Sequence, residues 1–268
     1  MTDTTSLNPQ NPLSSNKTPT IDIRRVGTEF LINTTTTDSQ YNSSVTSLAE
    51  GGFVVIWQSD NQDGDSYGTY GQRYDDEGNT LGSEFQVNTT TRYSQRRPAV
   101  ASLAEGGFVV TWESDKQDGD NFGIYGQRYD SDGEPLSSEF QVNTTTLNHQ
   151  QFSAVTSLTE GGFVVFWHSE GEEPKNYHIY GQRYDSDGES VSSEFQVNSY
   201  PLKDSFNVLS ATSLTEGGFI VTWEAQGQLQ EGDSFDIYKR QYNGQGQPLG
   251  TEELVNTYRT NAQLNPSV

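Results

Sequence analysis

Clusters of aspartate recur in two loops of this sequence and offer oxygen ligands for a cation. One loop reads SDNQDGDSYG and the other SDKQDGDNFG. Calcium prefers about six to eight oxygen ligands, which the carboxylates and carbonyls of a turning loop can supply. The sequence therefore predicts calcium as a cofactor, bound by Asp60, Asp63, Asp65, Asp115, Asp118 and Asp120. The spacing is not that of an EF-hand, and a solvated loop rich in turn-forming Asp and Gly is the alternative.

An aromatic residue ends each of four equivalent acidic loops. A flat ring offers apolar area to a sugar, and neighbouring carboxylates accept hydrogen bonds from its hydroxyl groups. The predicted ligand-binding residues are Tyr67, Phe122, Tyr177 and Phe235. The alternative is that each ring packs its own loop onto the rest of the fold.

Other side chains that could carry chemistry give weaker signals. His149, His168 and His178 lie close together in the sequence without the spacing of a metal site, and we interpret them as surface residues. The recurring pairs that begin with Arg73 and Glu84 predict a repeated ion pair. No motif identifies an enzyme, so no catalytic residue is predicted.

These residues belong to a tandem repeat. Its units begin at Glu29, Glu84, Glu139 and Glu194, at a spacing of 55 residues, and a fifth start follows at Glu252. Self-similarity at a fixed period of this length is typical of repeat architectures. Residues that recur in every unit are most simply explained by packing.

One unit contains four β-like runs separated by turn residues. In the second unit they are residues 85–88, 99–103, 107–113 and 123–130. The run GGFVVTW is almost continuously apolar, which indicates a strand covered on both faces. Its terminal Trp recurs as Trp57, Trp112, Trp167 and Trp223, and we predict that these residues form the core between units.

The predicted fold class is all-β, a β-propeller of four-stranded antiparallel blades of about 55 residues, with four blades plus a partial fifth repeat. Residues 1–28 are predicted to be a disordered polar leader, and residues 29–256 the propeller domain. Residues 257–268 start a further repeat or form a tail. The repeats are 29–83, 84–138, 139–193 and 194–251.

The sequence is compatible with several ways of closing the ring of blades. Residues 30–33 resemble an outer strand that could pair onto the last blade, and the segment from Glu253 to Asn256 is a second copy. The surplus copy is redundant, or the chain belongs to a longer array, or a larger ring needs another chain. Self-association through this surplus strand is one predicted interaction.

The motifs GGFVVTW, IYGQRYD and EFQVNTTT resemble tandem repeats of large, acidic, exported bacterial proteins of the calcium-binding, RTX-associated type. The resemblance covers residues 29–256. It implies an extracellular or cell-surface location and a need for calcium. The chain lacks the glycine-rich nonapeptides that bind calcium in RTX proteins.

The net charge and composition argue against some classes of partner and function. A formal charge of −22 repels polyanions, which argues against nucleic acid as a partner. No apolar run approaches the ~20 residues of a membrane span, and the N-terminus has no secretory signal. The regular units favour a non-enzymatic extracellular module for glycan or surface adhesion. The alternatives are a structural spacer in a larger exported protein and a propeller-type glycoside hydrolase, which needs an asymmetric carboxylate pair.

Overall fold

The computed structural model describes residues 28–173, 176–203, 208–226, 235–258 and 261–268. The predicted leader therefore lies, apart from residue 28, outside the described residues. The chain divides into two units, Met1–Leu31 and Ile32–Val268, and every described strand belongs to the second. No helix in the described residues has the length and apolar character needed to cross a membrane.

The second unit contains sixteen described strands in four antiparallel sheets of four strands each. Strand order in every sheet follows the chain, so each sheet is an up-and-down blade. Blade 1 is β1 Gln40–Ser47, β2 Phe53–Asp60, β3 Tyr67–Tyr74 and β4 Thr80–Gln86, and blade 2 is β5 Gln95–Ser102, β6 Phe108–Asp115, β7 Phe122–Tyr129 and β8 Phe140–Gln141. Blade 3 is β9 Gln150–Ser157, β10 Phe163–Glu170, β11 Tyr177–Tyr184 and β12 Phe195–Gln196, and blade 4 is β13 Leu209–Ser213, β14 Phe219–Gln226, β15 Phe235–Tyr242 and β16 Glu253–Leu254. The predicted all-β class of four-stranded antiparallel blades is confirmed.

A glycine pair sets the tight turn between the first two strands of each blade. In blade 2, Gly106 and Gly107 have φ values of 98° and 75°, which favour glycine. A Cβ on Gly107 would lie 2.1 Å from the carbonyl oxygen of Tyr129. The repeated GGF motif is therefore explained by a turn that approaches the neighbouring backbone closely.

The blades pack face to face through their second strands. Val54 and Ile56 of blade 1 share a core with Phe108, Val110 and Trp112 of blade 2. Equivalent clusters join blade 2 to blade 3 and blade 3 to blade 4. All four Trp residues are buried, with no more than 3% of their surface exposed, so the predicted core role of the tryptophans is confirmed.

Recurring polar contacts fasten one repeat to the next. Arg73 donates its terminal nitrogens to carbonyls in turn 130–133 of blade 2, and Arg128 does the same to blade 3. The Glu84 carboxylate accepts the backbone N–H of Thr34 at 2.6 Å. The predicted Arg–Glu ion pair is wrong for these residues, because both partners bind backbone groups instead.

The first strands of the blades lie side by side, β1 next to β5, β5 next to β9 and β9 next to β13. β1 and β13 do not pack along each other in the same way in the described chain. Residues 30–33 form no strand, and the outer strand of blade 4 is β16. The outer strand of blade 4 is therefore formed by β16 and not by residues 30–33.

Candidate functional site

The loops that follow the second strands meet the connections between blades at one end of the sheets. Tyr93 N donates to Asp65 Oδ2 at 2.9 Å, and Asn148 N donates to Asp120 Oδ2 at 2.8 Å. We call this end the loop face, defined by loops 61–66 and 116–121 and connections 87–94 and 142–149. It is the end at which sequence analysis placed the candidate ligand residues.

The residue after each Trp stands near the loop face and differs from blade to blade. Its side chain lies on the opposite side of the strand from the Trp ring. These four positions, which we call the variable ring, are Gln58, Glu113, His168 and Glu224. All four are buried, with no more than 4% of their surface exposed. Every repeat therefore has a buried polar side chain at this position, but the type of side chain differs between repeats.

Members of the variable ring accept a backbone hydrogen bond from the next repeat. The φ of the donor residues lies between 51° and 59°, in the left-handed region, and the first two donors lie at the irregular positions of β5 and β9. The pairs are Arg97 N to Gln58 Oε1 at 2.9 Å, Phe152 N to Glu113 Oε1 at 2.8 Å, and Asn265 N to Glu224 Oε1. Each bond fixes one side-chain oxygen and a backbone segment of the following repeat.

Glu113 carries the densest set of charged contacts near the loop face. Its Oε2 atom lies 2.9 Å from Arg96 Nε and 3.2 Å from Arg97 Nη1. The carboxylate is fully buried, whereas the two arginine side chains are 25% and 31% exposed. Two cations thus compensate one buried carboxylate, and the cluster keeps a net positive charge.

Glu224 occupies the same strand position in blade 4 and has different surroundings. No Lys or Arg of the described ranges forms an ion pair with it. Burial raises the pKa of the Glu224 carboxyl above its ordinary value, and the N–H of Asn265 lowers it in part. The protonated form of Glu224 is therefore favoured more than that of an exposed glutamate.

A second buried carboxylate stands at the same end of blade 4, on the opposite face of the sheet from Glu224. Asp236, 4% exposed, is the second residue of β15 and pairs with Ala225, the residue that follows Glu224. Asn256 Nδ2 donates to Asp236 Oδ1 at 2.8 Å. The equivalent residues of blades 1 and 2 are Gly68 and Gly123. Blade 4 therefore combines two carboxylic residues at strand ends where blades 1 and 2 have at most one.

The predicted calcium ligands hold the loops together. Asp65 and Asp120 accept the interloop bonds described above, and Gln86 Nε2 donates to Asp63 Oδ2 at 3.0 Å. Burial raises the pKa of both Asp63 and Asp118. No group of three or more His, Asp or Glu residues in the described part of the chain has the arrangement of a metal site. Calcium binding by these loops stays a prediction.

The predicted sugar-binding aromatics have different surroundings in each blade. Tyr67 packs edge-on against Tyr41, with ring centroids 5.7 Å apart. Phe122 stacks on His149 at 5.8 Å, and the Arg96 guanidinium lies 3.8 Å from the Phe122 ring centroid. Tyr177 is buried and exchanges backbone hydrogen bonds with Leu202. Phe235 is half-buried and accepts a backbone bond from Gln263 N at 2.8 Å. Their role in ligand binding stays a prediction.

The three histidines have different surroundings. His149 stacks on Phe122 in a connection of the loop face. His178 lies 2.9 Å from Gln196 Nε2, and burial lowers its pKa. His168 is completely buried in the variable ring, so its interpretation as a surface residue is wrong. Sequence reasoning missed the variable ring, although one signal was visible: the residue after each recurring Trp changes.

Two open grooves lie away from the variable ring. One of about 560 Å³ lies between the outer parts of blades 2 and 3 and is lined by Arg128, Phe140 and Tyr184. Another of about 640 Å³ lies by Glu160, Leu214 and Gly244. Recurring residues such as Arg128 dominate the first groove, which indicates the ordinary gap between neighbouring blades.

No protein-family model matches the sequence, and no curated protein is similar to it. The fold is similar to solved structures. The GH93 α-L-arabinofuranosidase of Fusarium graminearum in complex with arabinobiose matches with a TM-score of 0.55 and 14% identity over 80% of this chain. The chain spans 65% of the length of that enzyme. The endo-arabinase of Bacteroides thetaiotaomicron matches with a TM-score of 0.49 and 15% identity, over 76% of this chain and 77% of that one.

The comparison corrects the functional prediction. Sequence analysis favoured a non-enzymatic adhesion module and no enzyme. That prediction is wrong, because the similar structures are glycoside hydrolases and the shared fold is one on which such enzymes are built. The argument from regularity failed for a structural reason: the units are alike in their packing residues and unlike in the variable ring.

Proposed function

We propose that this chain is a propeller-type glycoside hydrolase whose general acid is Glu224 of blade 4. The observation that carries the proposal is the buried carboxyl of Glu224, which has no Lys or Arg ion-pair partner among the described residues. Burial raises the pKa of this carboxyl above its ordinary value. Hydrolysis of a glycosidic bond uses a carboxylic residue with a raised pKa as its general acid, and Glu224 fits that role.

The role of Glu224 follows from this environment. Glu224, with its raised pKa, holds a proton and donates it to the oxygen of the leaving group, so that the glycosidic bond breaks and water adds to the sugar. Its side chain stands near the end of β14.

The fold similarity suggests the first substrates to test. The structural neighbour acts on arabinofuranosides, as its name states. We expect the full chain to hydrolyse at least one member of a nitrophenyl glycoside panel that includes α-L-arabinofuranoside. The observable is the release of nitrophenol.

The pH dependence of this activity tests the assignment of Glu224. The general acid must be protonated, so the rate should fall as the pH rises through the raised pKa of Glu224. The Glu224→Gln variant should lose about 100-fold or more of kcat and should lack that alkaline limb. A panel on which the folded chain shows no hydrolysis across pH 4 to pH 8 would reject the proposed function.

A further inference from the structure

A pair of arginines stands at the loop face of a strongly acidic protein. Formal charge over the chain is −22, yet Arg92, Arg96, Arg97 and Lys116 all lie in or next to one loop pair of blade 2. At the positions of Arg96 and Arg97, blade 1 has Tyr41 and Asn42, and blade 3 has Gln151 and Phe152. Packing of the repeat therefore does not require cations here.

Glu113 and two aromatic rings fix the orientation of both guanidinium groups. Arg96 contributes Nε and Arg97 contributes Nη1 to the Glu113 carboxylate. The Arg97 guanidinium lies 4.4 Å from the Phe152 ring centroid, and Arg96 lies over Phe122 as described. The backbone of Arg97 is also held, because its N–H binds Gln58. Side chains fixed in this way lose little conformational entropy when they bind a ligand.

The two guanidinium groups have N–H donors that Glu113 does not bind. Each guanidinium presents five N–H donors, and Glu113 takes only part of them. The arginine side chains are 25% and 31% exposed, while the carboxylate between them has no exposure. One positive charge therefore remains uncompensated at a solvent-facing site beside the half-buried Phe122 ring.

We infer that Arg96 and Arg97 form an anion subsite for an acidic glycan, in which a charged substituent of the sugar bonds to the guanidinium groups and the sugar ring packs near Phe122. A hexuronate carboxylate and a sulfate ester share the required chemistry, a planar or tetrahedral oxyanion on a sugar. This inference rests on the proposed function only in taking the ligand to be a glycan. It adds a substrate class that the similar structures do not indicate.

Binding measured by calorimetry tests the subsite without any turnover. The probes are a tetragalacturonate, its full methyl ester, and a sulfated oligosaccharide of the same length. We expect the free acid to bind the full chain at least tenfold more tightly than the ester, with an affinity that falls as salt is added. The sulfated probe distinguishes carboxylate from sulfate as the preferred anion.

Substitutions of single arginines test whether Arg96 and Arg97 cause the preference for the acid over the ester. Arg96→Gln and Arg97→Gln should bind the acid no more tightly than the ester, while Arg92→Gln, which removes an exposed charge from the same loop, should keep the preference. Melting temperatures of all three variants show that they fold. Equal affinity for acid and ester, no binding of either, or the same loss in Arg92→Gln would overturn the subsite. Nitrophenyl glycosides carry no such anion, so their hydrolysis tests the proposed function separately.

Discussion

At the scale of single residues, one strand position explains why four similar units are not four similar sites. Glu113 and Glu224 occupy the same place after a buried Trp, yet Glu113 binds two arginines and Glu224 binds none of the described ones. The sequence shows which residue follows each Trp but not what surrounds it. The arginines come from the preceding strand of the same blade, 16 or 17 residues away, and the backbone donors come from the next repeat, 39 or 41 residues away, so only the fold reveals these surroundings.

The raised pKa of Glu224 has a consequence for stability. A carboxyl whose pKa is higher in the folded protein stabilises the fold fully below its unfolded pKa of about 4.3, and this contribution is lost as the pH rises through the folded pKa. Glutamine keeps the oxygen that binds Asn265 N and does not titrate. Relative to the parent, Glu224→Gln should therefore gain melting temperature at pH 7 but not at pH 4.

Thermal melts of both proteins at the two pH values measure this difference. Glu50→Gln is the control, because Glu50 also accepts an interblade N–H, from Gly107 at 3.3 Å, at the other end of the strands. A melting-temperature difference that is the same at pH 4 and pH 7 would contradict the assigned shift of Glu224.

At the scale of elements, the sequence was most informative where both faces of a strand are buried. The first and last residues of the second strands were predicted within two residues. A continuous apolar run between a glycine pair and a Trp is compatible with few elements other than a buried strand. Outer strands were harder to predict. Residues 85–88 were expected as a strand, but the strand at this place, β4, runs from Thr80 to Gln86, and its equivalents β8, β12 and β16 contain two residues each, since only a short part of the edge pairs. Polar edge residues carry no periodic pattern that would show this.

The glycine pair of the GGF turn provides a test at this scale. Gly107→Ala places a methyl group 2.1 Å from Tyr129 O at a φ of 75°, so we expect a loss of about 3 kcal/mol or more of unfolding free energy. Gly119→Ala has a φ of 101° but no atom within 4 Å, and should cost about 1 kcal/mol. Urea unfolding of both variants measures the difference. Equal losses would mean that the backbone contact is not what requires glycine.

At the scale of the whole repeat unit, equivalent residues differ because their blades have different neighbours. Val100 of blade 2 packs against blade 1 and is 9% exposed, whereas Val45 at the same position of blade 1 is 64% exposed. The number of repeats could be counted in the sequence. The angle between neighbouring blades could not be predicted, because it depends on how side chains interdigitate. Ring closure depends on that angle, so it could not be predicted either.

This difference predicts unequal effects of one substitution. Val100→Ala removes methyl groups from the interface of blades 1 and 2 and should cost roughly 2 kcal/mol of unfolding free energy. Val45→Ala should change it by no more than about 0.5 kcal/mol. Chemical denaturation of the two variants is the measurement. A cost for Val45→Ala as large as that for Val100→Ala would show that the exposed face of blade 1 is covered in solution.

The central claim is that chemistry occurs where the blades differ, at Glu224. The most direct test is the initial rate of hydrolysis of the best glycoside of the panel by Glu224→Gln, relative to the control Glu50→Gln at the same pH. Both variants lose one carboxylate that accepts an interblade N–H. We predict a rate at least about 100-fold lower for Glu224→Gln than for the control. Equal rates in the two folded variants would contradict the account.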